Sequence, residues 1–253
     1  MALILTSSLA VMAFFVPIPW WAFALLVLAW LIITAMGSFF VGWDYHLKSL
    51  HHNPDTGENW VSLTFDDGPN PEFTPRVLKL LKKHGATATF FCIGKQIERH
   101  PEILKQILEE GHSIGNHTYS HSRTFGFFTS KKVKSELLAT KSVVEQLTGL
   151  KMNLYRPAFG VTNPQIEKAI KSLGLLSVGW SVRSLDTTPR SEDRIYLRIT
   201  RRVAKGDIIL LHDTSEKTLA VLERLLVFLR KKNLESVPAN RLLEIEAYEQ
   251  LES

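Results

Sequence analysis

The sequence predicts an α/β domain, a largely parallel sheet or barrel of about seven strands, preceded by an N-terminal transmembrane helical segment. Three observations predict it. From Asn59 onward, short apolar runs alternate with helix-length amphipathic stretches, the pattern left by parallel strands buried on both faces and joined by surface helices. Met1 to Trp43 contains no Asp, Glu, Lys or Arg, so it cannot supply the polar face of a water-soluble layer. The residues able to do chemistry fall at the C-terminal ends of the expected strands, where barrels of this kind gather their sites.

Within the uncharged stretch, Trp20 to Trp43 runs for 24 residues. At about 1.5 Å per residue, a helix of that length crosses a hydrocarbon core of roughly 30 Å. Met1 to Val16 is a second, shorter apolar run, set off by Pro17-Ile18-Pro19. That tripeptide reads as a sharp reversal, with Trp20 and Trp21 at a membrane interface. Residues 1–43 are therefore expected to anchor the chain in a lipid bilayer by one or two helices, a hairpin being favoured. A cleaved signal peptide is the rival, but it would need a positively charged start and a short apolar centre, and neither is present. Residues 44–58 read as a polar linker and 59–253 as one domain. Lys48 is the first basic residue beside the spans, so an extracytoplasmic domain is expected from function rather than from loop charge.

All the charge sits beyond the anchor, 30 Lys and Arg against 25 Asp and Glu for a net +5. No basic run interleaves with aromatics, so nucleic acid is not an expected partner. Oligomeric state leaves no mark. Cys92, the one cysteine, can form no internal disulfide and lies in the apolar run "TATFFCIG", where core packing is the simpler role than a nucleophile.

The elements follow in order. "NWVSLTF" reads as strand, "TPRVLKLLKKHG" as a helix ending on glycine, "ATATFFCIG" as strand, and "PEILKQILEEG" as a helix opened by Pro101 and stopped by Gly111. After the short strand "HSIGNH" come helix "SKKVKSELLATKSVVEQLTG", strand "NLYRP", helix "NPQIEKAIKSLG" and strand "LLSVGW". Helix "SEDRIYLRITRRVAKG", strand "DIILLH", helix "TLAVLERLLVFLRKKN" and a last strand near Glu235 to Val237 complete the chain.

The first strand ends on adjacent carboxylates, Asp66 and Asp67, followed by Gly68 and Pro69. An exposed Asp-Asp-Gly turn is one account. The other divides their labour: Asp67 with His117 and His121 offers two nitrogens and a carboxylate, a ligand set for a divalent metal that keeps open positions. Asp66 is then left as a base beside metal-activated water, and the cation makes the adjacency tolerable. His117 and His121 are four apart, so one turn of helix after the strand would bring both to one side. The stretch is not the zincin motif, because Thr118 follows His117.

Together these motifs resemble the polysaccharide deacetylase family, also called the NodB-homology or carbohydrate esterase four family. "TFDDGP" at Thr64 to Pro69 matches its first motif, "HTYSH" at His117 to His121 its second, "RPAFG" at Arg156 to Gly160 its third and "LLH" at Leu210 to His212 its fifth, in order and spacing from about Trp60 to Val237. The resemblance implies a distorted (β/α) barrel, commonly of seven strands, that removes acetyl groups from N-acetylated sugars with a divalent metal, often zinc. It implies Asp66 as general base, Asp67, His117 and His121 as metal ligands, and Arg156 orienting Asp66. It further implies His212 as general acid and the Phe159 backbone N–H as an oxyanion donor.

Two departures stand out. Ala158 and Phe159 replace the usual proline and tyrosine, tolerable where the contact is through the backbone. In the fourth motif the family often reads W-x-V-D-S-x-D-W, its first aspartate pairing with the acid histidine; this chain has Trp180, Arg183, Asp186 and Thr187 at the corresponding places. Arg183 is thus expected where that carboxylate sits, which would lower the pKa of His212, unless Asp186 reaches His212 or pairs with Arg183. Asp213 is expected to cap the next helix with Thr214. Phe125, Phe127 and Phe128 form either a sugar- or membrane-facing rim or core.

The leading expectation is a membrane-anchored, metal-dependent N-deacetylase acting on N-acetylhexosamine units of a cell-envelope polysaccharide, peptidoglycan or chitin-like, or of a lipid-linked saccharide. A catalytically weak glycan-binding member of the family, suggested by Arg183, and a metal-dependent phosphoesterase are the alternatives. The latter would need cationic phosphate contacts or a second metal site.

Overall fold

The computed structural model describes residues 19–249. Eight strands form one parallel sheet: β1 (Trp60–Asp66), β2 (Ala88–Cys92), β3 (Ser113–Asn116), β4 (Leu154–Tyr155), β5 (Leu176–Ser177), β6 (Val182–Arg183), β7 (Ile208–His212) and β8 (Glu235–Ser236). Seven lie along the path β5-β4-β3-β2-β1-β7-β6, and β8 joins the start of β1. Since β5 and β6 do not pair with each other, the curved sheet is a barrel left open on one side. All seven anticipated strands are present. The eighth, β6, arises from a two-residue stretch too short to show a period.

Strand β1 explains how the barrel is built. Val61, Leu63 and Phe65 point outward into the main core, against residues such as Leu78, Leu104, Ile195 and Leu222 from the surrounding helices. Ser62, Thr64 and Asp66 alternate with them, 0 %, 0 % and 3 % exposed, and by the period of two they face the other side of the sheet. The interior of the barrel is therefore partly polar. Helices starting at Thr74, Pro101, Ser130, Pro164, Glu192 and Glu216 cover the outside. Several carry side-chain N-caps: Asn163 accepts from the N–H groups of Gln165 and Ile166 at 2.9 Å, and Thr129, Ser191 and Ser215 do the same for their own helices, each cap contributing about 1 kcal/mol.

Register places the chemistry. Asp66 is opposite Phe91 on one side and His212 on the other, Cys92 is opposite Asn116, and Asn116 is opposite Tyr155. Asp66, His117, Arg156 and His212 thus emerge at the same C-terminal end of the sheet.

At the N-terminus, α1 (Trp20–Phe39) is the one helix among the described residues long and apolar enough to cross a bilayer, and only its Gly37 is buried. The other anticipated apolar run, Met1 to Val16, lies outside the described residues. The stretch expected as a linker is packed against the barrel over much of its length. Leu47, Ser49 and Thr56 are buried, Leu50 bridges to Val178 and His52 to Asp207. Asn53 donates its N–H to the Gly206 carbonyl at 3.0 Å. Gly206, at φ +86°, lies so close to the Asn53 carbonyl that no side chain could fit there.

Candidate active site

The site is a cleft of about 240 Å³ at the strand C-terminal ends, lined by Asp66, Asp67, His117, His121, Pro157, Phe159, Gly160, Trp180, Arg183, Thr187, Leu210 and His212. A larger groove, near 580 Å³, lies between the helices starting at Thr74 and Glu216. Four of its charged residues are spent on the exposed ion pairs Arg76–Glu216 and Lys83–Glu223, so volume alone is a poor guide to the chemistry.

Asp67 leaves the strand in the left-handed region, φ 76°, while Asp66 continues the strand alternation. This turn sends the two carboxylates in different directions. Asp67 Oδ1 lies 3.4 Å from His117 Nε2 and 3.3 Å from His121 Nε2. Asp66 Oδ1 instead accepts a 3.0 Å hydrogen bond from Arg156 Nη1.

The two histidines converge without the helical turn their spacing suggested. Residues 117–121 form an irregular loop with positive φ at Thr118 (68°) and His121 (46°). Local hydrogen bonds hold it: Thr118 N–H donates to Asn116 Oδ1 at 2.9 Å, His121 N–H to Thr118 Oγ1 at 3.1 Å, and Ser120 N–H to Glu136 at 2.7 Å. This satisfies backbone groups that a buried loop would otherwise leave unpaired.

The donor set fits a divalent cation. The ligand atoms of Asp67, His117 and His121 lie within 4.8 Å of one another. His117 Nδ1 is 3.1 Å from the Arg156 carbonyl, to which it can only donate; its Nε2 therefore carries the lone pair toward Asp67. The buried Nε2 of His121 has no hydrogen-bond partner among the described residues. Burial, with the neighbouring His117, lowers its pKa to about 4, leaving the neutral imidazole that ligation requires. Burial alone would raise the Asp67 carboxyl, but the hydrogen bond to His117 and the nearby imidazoles hold it well below the usual carboxylate range.

Arg156 is fully buried. Besides Asp66, its guanidinium donates to Thr64 Oγ1 (2.6 Å), the Val178 carbonyl (3.1 Å) and the Gly179 carbonyl (2.7 Å), and it lies 4.1 Å above the Phe91 ring. With so many acceptors the planar group has one orientation available, and Asp66 is positioned by it.

Across the cleft, His212 Nδ1 is 2.8 Å from Asp186 Oδ1, and the His212 N–H donates to Asp186 Oδ2 at 2.8 Å. Ser184 Oγ (2.8 Å) and Thr218 Oγ1 (3.0 Å) also donate to Asp186, which is 1 % exposed. Burial alone would lower the His212 pKa, but the hydrogen bond and charge of Asp186, aided by Asp66 and Asp67, raise it to about 9.

The expectation that Arg183 would stand beside His212 is corrected here. Arg183 is exposed, with its guanidinium 5.6 Å from the Trp180 ring, and it is Asp186 that contacts the histidine. Just past β6 Leu185 is in the left-handed region, φ 63°, and the chain there buries Ser184 and Asp186 while leaving Arg183 exposed. Asp213 also departs from expectation. Ser215 caps the following helix, while Asp213 is buried, accepts a hydrogen bond from Thr74 Oγ1, and has its pKa raised by burial to about 7.

Phe159 is in the left-handed region, φ 58°. Its ring lies 4.4 Å from the His121 ring, and its N–H makes no hydrogen bond among the described residues. Thr64, Ser184, Thr218 and Trp180 complete the site; Thr64, Trp180 and Ser184 lay inside motif stretches the sequence had marked, and Thr218 did not.

An open parallel barrel with a ligand triad, a buried Asp–Arg pair and a His–Asp pair around one cleft is the architecture of a hydrolase that activates water. Residues 53–178 match the family model of polysaccharide deacetylases, and the chain belongs to that family. It is 36 % identical over 191 residues to a peptidoglycan-N-acetylglucosamine deacetylase of Bacillus cereus, an alignment covering 74 % of this chain and 89 % of the relative. To the Bacillus subtilis peptidoglycan-N-acetylmuramic acid deacetylase PdaA it is 34 % identical over 215 residues, 76 % of this chain and 81 % of the relative. The crystal structure of the Bc1960 peptidoglycan N-acetylglucosamine deacetylase superposes with a TM-score of 0.73 at 30 % identity, over 79 % of this chain and 94 % of that one.

Proposed function

We propose that this protein is a metal-dependent N-deacetylase that hydrolyses the acetamido group of N-acetylhexosamine units in a cell-envelope glycan, peptidoglycan or chitin-like. Residues 59–253 form its catalytic domain, and residues within 1–43 anchor it in a membrane with that domain outside the cytoplasm. The relatives' activities support the glycan class. One observation carries the mechanism: Asp66, ion-paired to the fully buried Arg156, stands between the Asp67/His117/His121 triad and the His212–Asp186 pair.

Asp67, His117 and His121 are the residues that would hold the metal, zinc being the best match for two imidazoles and a carboxylate. When bound, such a cation polarises the acetyl carbonyl and makes water acidic near neutral pH. Asp66 accepts the proton of the attacking water, and Arg156 fixes the direction of its carboxylate. The N–H of the cleft-lining Phe159, unpaired among the described residues, donates to the developing oxyanion, a kind of contact worth about 3 to 4 kcal/mol. His212, kept protonated by Asp186, gives its proton to the sugar nitrogen as the C–N bond breaks, releasing acetate and the free amine. Arg183 and Trp180 line the wall that the sugar meets.

The test is acetate release from N-acetylglucosamine oligomers and peptidoglycan, with chelator and with added zinc, for wild type and Asp66→Asn. Release that stops with chelator, returns with zinc and is lost in Asp66→Asn is the expected result. Release indifferent to both overturns the reading.

A further inference from the structure

We propose that the preferred substrate is met at the bilayer surface, as an N-acetylhexosamine carried on a membrane lipid, ahead of finished wall polymer. This deepens the deacetylase reading and rests on it. The observation behind it is that the apolar helix ends on the wall of the catalytic cleft.

Ser38, in the last turn of α1, accepts a 2.9 Å hydrogen bond through its carbonyl from the Thr162 N–H, two residues beyond the cleft-lining Gly160. Ser38 Oγ also pairs with His46 Nε2 at 3.1 Å, and Thr34 Oγ1 with the Tyr45 hydroxyl at 3.2 Å. The Tyr45 ring lies directly on Gly37, where a β-carbon would overlap it. Val41, buried, fills the space behind the cleft: a β-carbon on Gly179 would come 3.0 Å from its Cγ1, and one on Gly160 3.8 Å from its Cγ2. Gly179 is the residue whose carbonyl accepts from Arg156. The helix end, the glycine wall and the base-positioning arginine are thus one packed unit with no spacer between them.

The same side of the molecule exposes aromatic rings. Phe127 is 91 % exposed, while Phe125 is buried in the core and Phe128 packs against it. The turn carrying Phe127 abuts the cleft loop, since a β-carbon on Gly126 would lie 3.3 Å from Val161 Cγ1. Phe40 and Trp43, both about half exposed, stack with centroids 5.2 Å apart. Exposed Arg123, Lys131 and Lys132 flank the Phe127 turn. Aromatic rings with adjacent cations are what a membrane interface and anionic lipid headgroups select.

Helix length sets the height. Twenty residues at about 1.5 Å each span the roughly 30 Å hydrocarbon core, so Phe39 leaves it as Val41 and Trp43 enter the headgroup layer. The cleft wall built on Val41 is held there. A sugar attached to a lipid is presented at that height, whereas wall strands are not confined to it.

The experiment uses the full chain with zinc in nanodiscs. One arm compares three substrates: N-acetylglucosamine joined through a diphosphate to a polyprenyl chain in the same disc, a soluble N-acetylglucosamine oligomer, and peptidoglycan. Confinement to a shared surface predicts a kcat/KM at least about tenfold higher for the lipid-linked sugar. Equal or better turnover of the oligomer or of peptidoglycan overturns the proposal while leaving the deacetylase reading intact. No acetate from any of the three overturns both.

The second arm reads position without activity. Because Cys92 is buried, Phe127→Cys introduces one accessible thiol for a fluorophore, and Glu109→Cys, beside the N-terminal end of β3, places it at the far end of the barrel. Lipids spin-labelled at the headgroup are expected to quench the first label several-fold more than the second. Equal quenching overturns the proposal.

Discussion

Two histidines at opposite ends of the barrel, one buried and one partly buried, meet opposite fates. His112, just before β3, is 5 % exposed and accepts the Ala88 N–H at Nδ1, 3.1 Å away. Burial lowers its pKa to about 4, opposed only weakly by Glu110. His212, at the end of β7, is also drawn out of water, yet its pKa rises to about 9 because Asp186 is hydrogen-bonded to it. Burial alone makes an imidazole neutral and inert; a buried carboxylate partner makes it a charged proton donor. At the catalytic end the charges are desolvated in partnered sets, Asp66 with Arg156 and His212 with Asp186. The other end of the sheet uses its histidine as a hydrogen-bond acceptor in the core.

Four measurements break or sharpen this contrast. The largest effect is expected for Asp66→Asn, which removes the proposed proton acceptor but keeps the shape; kcat should fall by about 10²- to 10⁴-fold, read as acetate release. Arg156→Leu comes next. It leaves Asp66 buried without a counter-charge, so urea unfolding should show a loss of about 3 to 5 kcal/mol, and a loss under 1 kcal/mol would mean that the pair is not a structural keystone.

Asp186→Asn tests the partner's hold on His212. The wild-type histidine, the proposed acid, is protonated below a pKa of about 9, and its contribution to stability is complete below the ordinary value and fades as pH rises through 9. In the variant the pKa should fall toward the usual 6.5, so the rate at pH 8 should drop about 30-fold while the rate near pH 6 changes far less. An unchanged pH–rate profile would remove Asp186 from the mechanism.

The smallest effect belongs to the other histidine. His112 has a folded pKa below its unfolded one, so the unfolded chain binds the extra proton between pH 6.5 and about 4. Stability should therefore fall on acidification through that window, by up to about 3 kcal/mol, and urea midpoints for His112→Gln should lack that component. Acetate release at neutral pH should be largely indifferent to this substitution.

The same contrast explains what was legible in the sequence. The strands showed as apolar runs, and Asp66 and Asp67 showed because two carboxylates ended one of them. The helix Gly94–Arg99 did not, being six residues long and opening on a glycine that reads as a strand terminator. The convergence of His117 and His121 was anticipated, but its means was not. A loop with two left-handed residues has no periodicity to read, and its hydrogen bonds run to Glu136 in a later helix. Asp186 was expected to reach His212 or to pair with Arg183, and the outcome turns on the left-handed Leu185 that follows the two-residue β6, a backbone state with no pattern to read. Thr218, which steadies Asp186 from 32 residues away, left no signal, because long-range polar pairs are set by packing and not by local pattern.

The lone thiol, Cys92, is enclosed in β2 with its pKa raised well above the ordinary value by burial. With one cysteine in the chain, and that one buried, the fold uses no internal disulfide. The thiol also offers little thiolate to oxidants. The barrel can therefore mature identically in reducing and oxidising surroundings.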